Sequence, residues 1–268
     1  MRTTAFLLTS LLLCTTASAD LITPQTSSPR ILVPAAGNAP GANGTYFRSD
    51  IQIANLRNVT QRVQMFWLPN GSSGSGIAPR VMDLGAGRGF SSEDFVANVM
   101  LQTGVGSIEF VGVTEAGVFD PNARLHVSSR IWTPRPDGGD GTMSQTFPAV
   151  VMPGSTASSK TIFGIRHSSQ YRINIGISNP TTTVHHFRVT AKISTPTVEE
   201  EQVFEVEVQP RSIEQRTVTG LTRTGVAQVL IENLTPGLFT DWQAWASAVD
   251  NFSGDAWSQL AFPTPAQQ

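Results

Sequence analysis

The chain has 268 residues and a formal net charge of −2, with 14% charged and 40% hydrophobic residues. A hydrophobic content of this size can form a core, so the composition excludes an intrinsically disordered chain. The few basic residues are spread along the sequence, which excludes the basic stripe that nucleic-acid binding requires.

The first predicted element is a signal peptide at residues 1–19. Arg2 supplies a positive charge, and the run Ala5–Cys14 is apolar but shorter than a transmembrane helix. Ala17-Ser18-Ala19 then fits the small-residue cleavage rule. We therefore expect cleavage before Asp20 and a protein that is secreted, periplasmic or held at the cell surface.

Cys14 offers a second processing route, because lipoprotein signals place a lipidated cysteine after a short apolar box. Leu13 stands where such a box usually has a small residue, which favours ordinary cleavage. Residues 20–29, rich in Thr, Ser and Pro, are predicted to form a flexible leader. No later stretch has the ~20 apolar residues of a transmembrane helix, so we expect no membrane insertion after cleavage.

An internal repeat follows the leader. Phe47–Asn55 aligns without a gap with Tyr171–Asn179, which begins 124 residues later. An aromatic residue matches an aromatic residue, Arg matches Arg, and both segments end on Asn. Order is kept further along, where Gly104–Gly106 matches Gly225–Ala227 at a slightly shorter offset. Such self-similarity indicates one structural unit used twice.

Each copy is predicted to consist of strands. In Tyr171–Asn179 apolar and polar residues alternate through Ile177, the period-two pattern of a half-buried strand. Turn-forming clusters such as Pro69-Asn70-Gly71 and Pro236-Gly237 separate these segments. One helical turn or two is predicted at Ser92–Met100. The fold class is therefore all-β, with two tandem immunoglobulin-like antiparallel β-sandwich domains after a cleaved signal peptide.

The domain division follows from these patterns. The first repeat is predicted at residues 30–132 and the second at 146–263. Residues 133–145 are rich in Pro and Gly and are predicted to be the linker between the repeats. Residues 264–268 are predicted to be a short tail.

Two segments resemble parts of a known module. The first is the stretch Pro40–Asp50 with its continuation to Asn55, and the second, which looks like the end of the module, is Ala248–Asn251 with Gly254-Asp255. That module belongs to uncharacterised secreted bacterial proteins built from tandem immunoglobulin-like β-sandwich repeats. The resemblance covers nearly all of the chain after the signal peptide and implies the same fold. It implies no activity, because no biochemical role comes with that group.

No catalytic residue and no cofactor is predicted. The Ser-rich tract Gly71–Gly76 lacks the Gly-x-Ser-x-Gly spacing of a nucleophile elbow. The adjacent His185 and His186 would face opposite sides of a strand and could not share a metal ion from that strand. Asp50 and Asn174 occupy equivalent positions in the two copies, which indicates structural pairing with a neighbouring strand. The prediction is a protein that is not an enzyme.

One candidate metal site is an oxygen-rich loop near the end of the chain. Asp250, Asn251 and Asp255 have side chains of the type that binds Ca²⁺, with Gly254 between them. Short Asx-Gly turns have the same composition, and the sequence favours this second interpretation.

Tryptophans are the candidate ligand-binding residues. Trp242 and Trp245 are three residues apart in a strand-like segment, so they face opposite sides and one of them is expected to be exposed. Trp257 is the third candidate. Exposed aromatic side chains on a sandwich can stack on sugar rings, whereas core packing is the alternative role.

The leading functional hypothesis is a non-enzymatic extracytoplasmic protein with a structural, adhesive or protein-binding role. The alternative is a carbohydrate-binding or accessory module, so the expected partner is a protein or a polysaccharide. A pilus-type chaperone also pairs two immunoglobulin-like domains, but the scarcity of lysine argues against its basic cleft. A hydrolase comes last, since fold alone assigns no chemistry.

Overall fold

The computed structural model describes residues 27–41, 44–135, 138–152, 157–194, 199–237 and 241–264. The predicted signal peptide, Cys14, most of the leader and nearly all of the tail lie outside these ranges. Within them the fold is all-β, with antiparallel sheets. A short π-helical segment, Val96–Met100, lies inside the predicted helical stretch. None of the helical structure in these ranges is long and apolar enough to cross a membrane.

The first strand set contains nine strands between residues 30 and 151. They are β1 Arg30–Pro40, β2 Tyr46–Asn55, β3 Gln61–Pro69, β4 Arg80–Leu84, β5 Gly89–Ser92, β6 Gly104–Val113, β7 Leu125–Pro134, β8 Thr142–Thr146 and β9 Val150–Val151. One sheet has the order β4-β3-β6-β1-β9, and the other has the order β5-β2-β7-β8. The end of β1 pairs with the start of β2 and joins the two sheets.

The second strand set contains nine strands between residues 159 and 263. They are β10 Ser159–His167, β11 Tyr171–Asn179, β12 His185–Ser194, β13 Glu199–Val208, β14 Ser212–Val218, β15 Gly225–Asn233, β16 Gln243–Asp250, β17 Ala256–Leu260 and β18 Phe262–Pro263. The sheet orders are β13-β12-β15-β10-β18 and β14-β11-β16-β17. Each strand of the second set takes the place of the strand nine numbers lower in the first set, so β10 corresponds to β1 and the order of the strands in both sheets is the same.

Smaller features also recur between the two sets. The register of β1 against β6 shifts between Val33 and Ala36, and that of β10 against β15 shifts between Ile162 and Ile165. Each set has its own core of alternating apolar residues. In β11, for example, Ile173, Ile175 and Ile177 are all at most 2% exposed. Burying each such side chain contributes roughly 1.5–3 kcal/mol.

One turn is built identically in both sets around a fully buried asparagine. Each asparagine donates from Nδ2 to a carbonyl four residues ahead and to two carbonyls at the end of β4 or β13, and its Oδ1 accepts an N–H two residues ahead. For Asn55 the carbonyls are those of Val59, Leu84 and Gly85 at 2.7–3.1 Å. For Asn179 they are those of Thr183, Val208 and Gln209 at 2.7–3.2 Å.

The predicted pairing of Asp50 with a neighbouring strand is confirmed. Its Oδ1 accepts the Trp132 Nε1 proton at 2.6 Å, and its Oδ2 accepts the Arg130 Nε proton at 3.0 Å, both from β7. Asn174 accepts a hydrogen bond from Thr217 on β14 at 2.8 Å.

The structure corrects the predicted linker at 133–145. The described part of this stretch ends β7 and begins β8, which pairs back onto β7. Gly138 and Gly141 have φ of 75° and 100°, so the Gly-rich sequence belongs to a hairpin connection. Gly suits turns and linkers alike, because it adopts positive φ without steric cost. Since β9 then pairs with β1, residues 146–151 belong to the first strand set and not to a second repeat.

A backbone carbonyl joins the two strand sets. Pro34 lies within the register shift of β1, where the ladder to β6 is interrupted. Its oxygen accepts the indole proton of Trp245 at 2.9 Å and the hydroxyl proton of Ser107 at 2.7 Å. Ser178 of the second set reaches the same oxygen at 3.4 Å.

A buried carboxylate makes a second connection. The Glu109 side chain is 1% exposed and accepts hydrogen bonds from Arg30 Nε at 3.1 Å and from Arg211 Nη1 at 2.6 Å. Arg30 also contacts Asp241 at 3.3 Å. A buried charge is tolerated only when it is paired and hydrogen-bonded. Because Arg211 and Asp241 belong to the second half of the chain, this network fixes how the two sets meet.

Candidate functional site

A cavity of about 260 Å³ lies between the two strand sets. Its apolar wall includes Ile131, Phe147 and Trp245, and the last two rings meet edge to face with centroids 4.9 Å apart. The cavity is slightly smaller than the roughly 300–1,000 Å³ typical of drug-sized ligand sites, so it suits a small molecule.

Gly176 on β11 gives the Trp245 indole its place in this wall. A Cβ atom at Gly176 would lie 2.3–2.5 Å from atoms of the indole ring. Residue 176 pairs directly with Trp245 on β16, so the ring lies across the glycine backbone. Any larger residue at position 176 would push the indole out of the wall.

Gln145 on β8 brings an unsatisfied donor to the cavity. It is one of the lining residues, and its Nε2 atom is buried without a hydrogen-bond partner among the described residues. Leaving a buried polar group unpaired costs about 1–3 kcal/mol. A ligand acceptor in the cavity would relieve that cost.

Further polar groups come from the second strand set. Asn174 and Gln215 line the cavity, and Asn174 Oδ1 accepts the Thr217 hydroxyl proton at 2.8 Å. That bond leaves the Asn174 amide nitrogen as a donor. Arg172 is the one charged residue among the described residues that line the cavity, and its Nη1 donates to Asn251 Oδ1 at 2.7 Å.

The candidate calcium loop is a hydrogen-bonded turn. Asp250 Oδ1 accepts the N–H groups of Phe252 at 2.7 Å and Ser253 at 3.2 Å, and its Oδ2 accepts the Gln170 side chain at 2.9 Å. The Phe252 N–H, followed by the Gln170 side chain, lowers the pKa of Asp250 below its usual value. Asn251 Oδ1 faces a guanidinium, which repels a cation, so these contacts favour the turn over an ion site.

The histidines and carboxylates give no other metal site in the described parts of the chain, where no group of three or more potential ligands occurs. His185 is fully buried, whereas His186 is exposed beside Glu207 at 3.8 Å, so the two adjacent side chains do face opposite sides. Burial, with His186 as a smaller cause, lowers the pKa of His185.

Trp242 and Trp245 do face opposite sides, but the expectation that one of them is exposed is wrong. Trp242 is 0% exposed in the core of the second set, with its ring centroid 5.0 Å from that of Phe187. Trp245 is 3% exposed, because the outer face of its sheet is covered by the first strand set. Of the pair, Trp245 alone lines the cavity.

Trp257 on β17 lies at the surface. It is 37% exposed and meets Tyr171 edge to face with centroids 5.6 Å apart. The Arg166 guanidinium lies 5.1 Å from the centroid of the same Tyr171 ring. Trp257 and Tyr171 therefore form an aromatic surface that is separate from the cavity lining.

Comparison with known proteins assigns no family. No protein-family model matches the chain, and no curated protein matches it. The crystal structure of Thermotoga maritima 1070 is similar over 40% of this chain and 95% of that chain, with 14% sequence identity and a TM-score of 0.33. A likeness of this size carries no argument about the activity of this protein.

Of the predicted site residues, Trp245 alone lines the cavity. Gly254 of the candidate calcium loop also lines it, whereas the remaining predicted residues lie outside the lining: Asp250, Asn251, Asp255, Trp242 and Trp257. Sequence reasoning missed Gln145 because it fell within the predicted linker. It noted Asn174 only as a structural residue. The alternation in β11 was the signal that could have indicated these residues, because it places Arg172 and Asn174 on the outer face of the strand, opposite its core residues.

Proposed function

We propose that this chain is a non-enzymatic extracytoplasmic binding protein made of two tandem immunoglobulin-like units. The cavity between the strand sets is its binding site. The signal-peptide pattern supports export, and the recurring strand order with the matched Asn55 and Asn179 turns supports duplication of one unit. The lack of a recognisable catalytic motif in the sequence supports the non-enzymatic role.

The buried, unpaired Gln145 Nε2 is the observation that carries the proposal. Binding sites commonly retain groups that cost stability and are satisfied only by a ligand. The apolar wall around Phe147 and Trp245 would provide most of the contact area, and the amides would orient the ligand.

Protein-observed NMR tests this proposal with a library of small acids, amines, sugars and neutral compounds. We expect binders to shift the Trp245 indole resonance and the amides of Phe147 and Gln145. The variant Gln145→Leu should lose this binding while its thermal stability stays equal or rises, because the unpaired donor is removed. Gln52→Leu, at an exposed position of β2, is the matched control and should bind normally.

Absence of any shift at the cavity across the library would overturn the proposal. So would normal ligand binding by the Gln145→Leu variant, since the donor would then have no role in recognition.

The exposed Trp257 ring, packed against the half-buried Tyr171, supports a second candidate, binding of polysaccharide at the surface. Affinity electrophoresis in gels containing soluble polysaccharides tests it. Retardation that is lost in Trp257→Ala, but kept in Gln145→Leu, would assign carbohydrate binding to this surface. Unretarded migration on every polysaccharide would remove the candidate.

A further inference from the structure

The geometry points to a small organic monocarboxylate with an apolar body as the ligand of the cavity, with Arg172 binding the carboxylate. This inference rests on the proposed function, because it names the ligand class of the same site. Four observations carry it: the charge of the lining, the state of the guanidinium, the amides around it and the apolar wall.

Charge is the first observation. Arg172 is the one charged group among the described lining residues, none of which carries a carboxylate side chain. Arg172 forms no ion pair with any described residue, whereas Arg30, Arg62 and Arg130 all pair with acidic side chains. An uncompensated cation at a half-enclosed site attracts an anion, and it does so more strongly than in bulk water because the local dielectric constant is lower.

The orientation of the guanidinium is the second observation. Arg172 donates from Nη1 to Asn251 Oδ1 at 2.7 Å. Asn251 is itself held by the Ser169 carbonyl, to which its Nδ2 donates at 3.2 Å. The Nε and Nη2 groups of Arg172 donate to no acceptor in the described part of the chain. That edge of the guanidinium matches the two oxygens of a carboxylate.

The neighbouring acidic turn does not compete for this arginine. Asp250 directs Oδ2 to the Gln170 side chain and Oδ1 to backbone N–H groups, so its carboxylate is already satisfied. The turn therefore contacts Arg172 through the neutral Asn251, and Asp250 forms no ion pair with the guanidinium.

The remaining lining defines the rest of the ligand. Gln145, Asn174 and Gln215 supply amide groups for further hydrogen bonds, whereas Phe147 and Trp245 supply an aromatic wall. One guanidinium with neutral amides suits a monoanion. A phosphate-like dianion would call for more cationic groups. The volume of about 260 Å³ limits the ligand to a compact molecule.

Pairs of acids and their primary amides test the inference on the chain that begins at Asp20, after the predicted signal peptide. We would titrate 3-phenylpropanoate against 3-phenylpropanamide, and hexanoate against hexanamide, by calorimetry and by the shift of the Trp245 indole resonance. We expect each acid to bind at least tenfold more tightly than its amide, and this preference to shrink as salt is raised. Arg172→Gln should abolish the preference, whereas Arg166→Gln, at an exposed arginine outside the cavity lining, should keep it.

The outcomes separate this inference from the proposed function. If acids and amides bind the cavity equally, or if Arg172→Gln keeps the preference, the carboxylate inference is wrong while the binding function stands. If no compound of the broader library shifts the cavity residues either, both fall. The comparison of acid with amide uses the unaltered protein, so it tests the preference of the cavity for a carboxylate even if Arg172→Gln does not fold.

Discussion

Lys160 is a cationic residue in the core of the second strand set. Lys160 lies two residues before the register shift of β10, and Ile31 lies two residues before the equivalent shift of β1, so the two residues hold the same position. Its ammonium donates to the Trp242 carbonyl at 2.6 Å and to Gln243 Oε1 at 2.9 Å, and lies 4.5 Å from the centre of the Trp242 ring. Burial lowers the pKa of Lys160 to about 8.

This pKa predicts a pH-dependent stability. Below pH 8 the folded and unfolded states both bind the proton, and the folded state bears the cost of a buried charge. Between pH 8 and the ordinary value of 10.5, only the unfolded state keeps the proton, so the free energy of unfolding rises with pH. The rise attributable to Lys160 is roughly 3 kcal/mol over this window.

Urea unfolding at pH 7.5 and at pH 10 measures this rise, and Lys160→Met should remove it. Lys192→Met, at a partly exposed lysine paired with Glu199, is the control and should leave the pH dependence as it is. A Lys160→Met variant with the same pH dependence as the unaltered chain would show that the Lys160 ammonium is not the cause.

The asparagine turns are the matching elements of the two sets. Each buried amide donates to three carbonyls and so ties its turn to the end of β4 or β13. Asn55→Ala and Asn179→Ala should each lower the free energy of unfolding by about 2 kcal/mol or more, and by similar amounts, because the same contacts are lost. Asn122→Ala, at an exposed turn, should change it little. Denaturant unfolding measures all three, and a large difference between the first two would contradict the equivalence of the turns.

Strands were predictable from the sequence where alternation was strict. Tyr171–Asn179 is β11 with the expected core residues, and its match to Phe47–Asn55 led to the equivalent β2. The hairpin between β7 and β8 was not predictable, because Gly-rich sequence is shared by linkers and turns. Lys160 was also hidden, since it lies in a polar run, Ser158–Thr161, that carries no sign of burial.

At the scale of the whole molecule, a buried ion-pair network joins the two strand sets, in addition to the Pro34 carbonyl and the contact of Phe147 with Trp245. Glu109 accepts hydrogen bonds from Arg30 of its own set and from Arg211 of the other. We therefore expect heating to unfold both sets in one transition. Glu109→Ala should lower the free energy of unfolding by about 3–5 kcal/mol, because two partly buried guanidiniums lose the carboxylate that they share.

Calorimetry measures the effect, with Asp83→Ala as the control. Asp83 pairs with Arg62 at the surface, where screening by solvent makes an ion pair nearly neutral for stability. Two separate transitions in the unaltered chain, or equal effects of the two substitutions, would contradict the role assigned to Glu109.

The candidate site was only partly predictable, because it forms where the two sets meet. A strand pattern shows that Trp242 and Trp245 face opposite sides, but it does not show that another sheet covers the outer face. The arrangement of Gln145 from β8 beside Arg172 from β11 depends on the same contact between sets. Alternation in a sequence reports burial within one sandwich and carries no information about the second layer.

The Pro34 carbonyl has a consequence for sequence evolution. Its three hydrogen-bond donors, Trp245, Ser107 and Ser178, all act through their side chains, whereas the acceptor is a main-chain atom. Mutation can remove a side-chain donor, but it cannot remove a carbonyl. Selection on this junction should therefore be visible at positions 107, 178 and 245. Position 34 should remain free to vary among residues that keep the same local backbone.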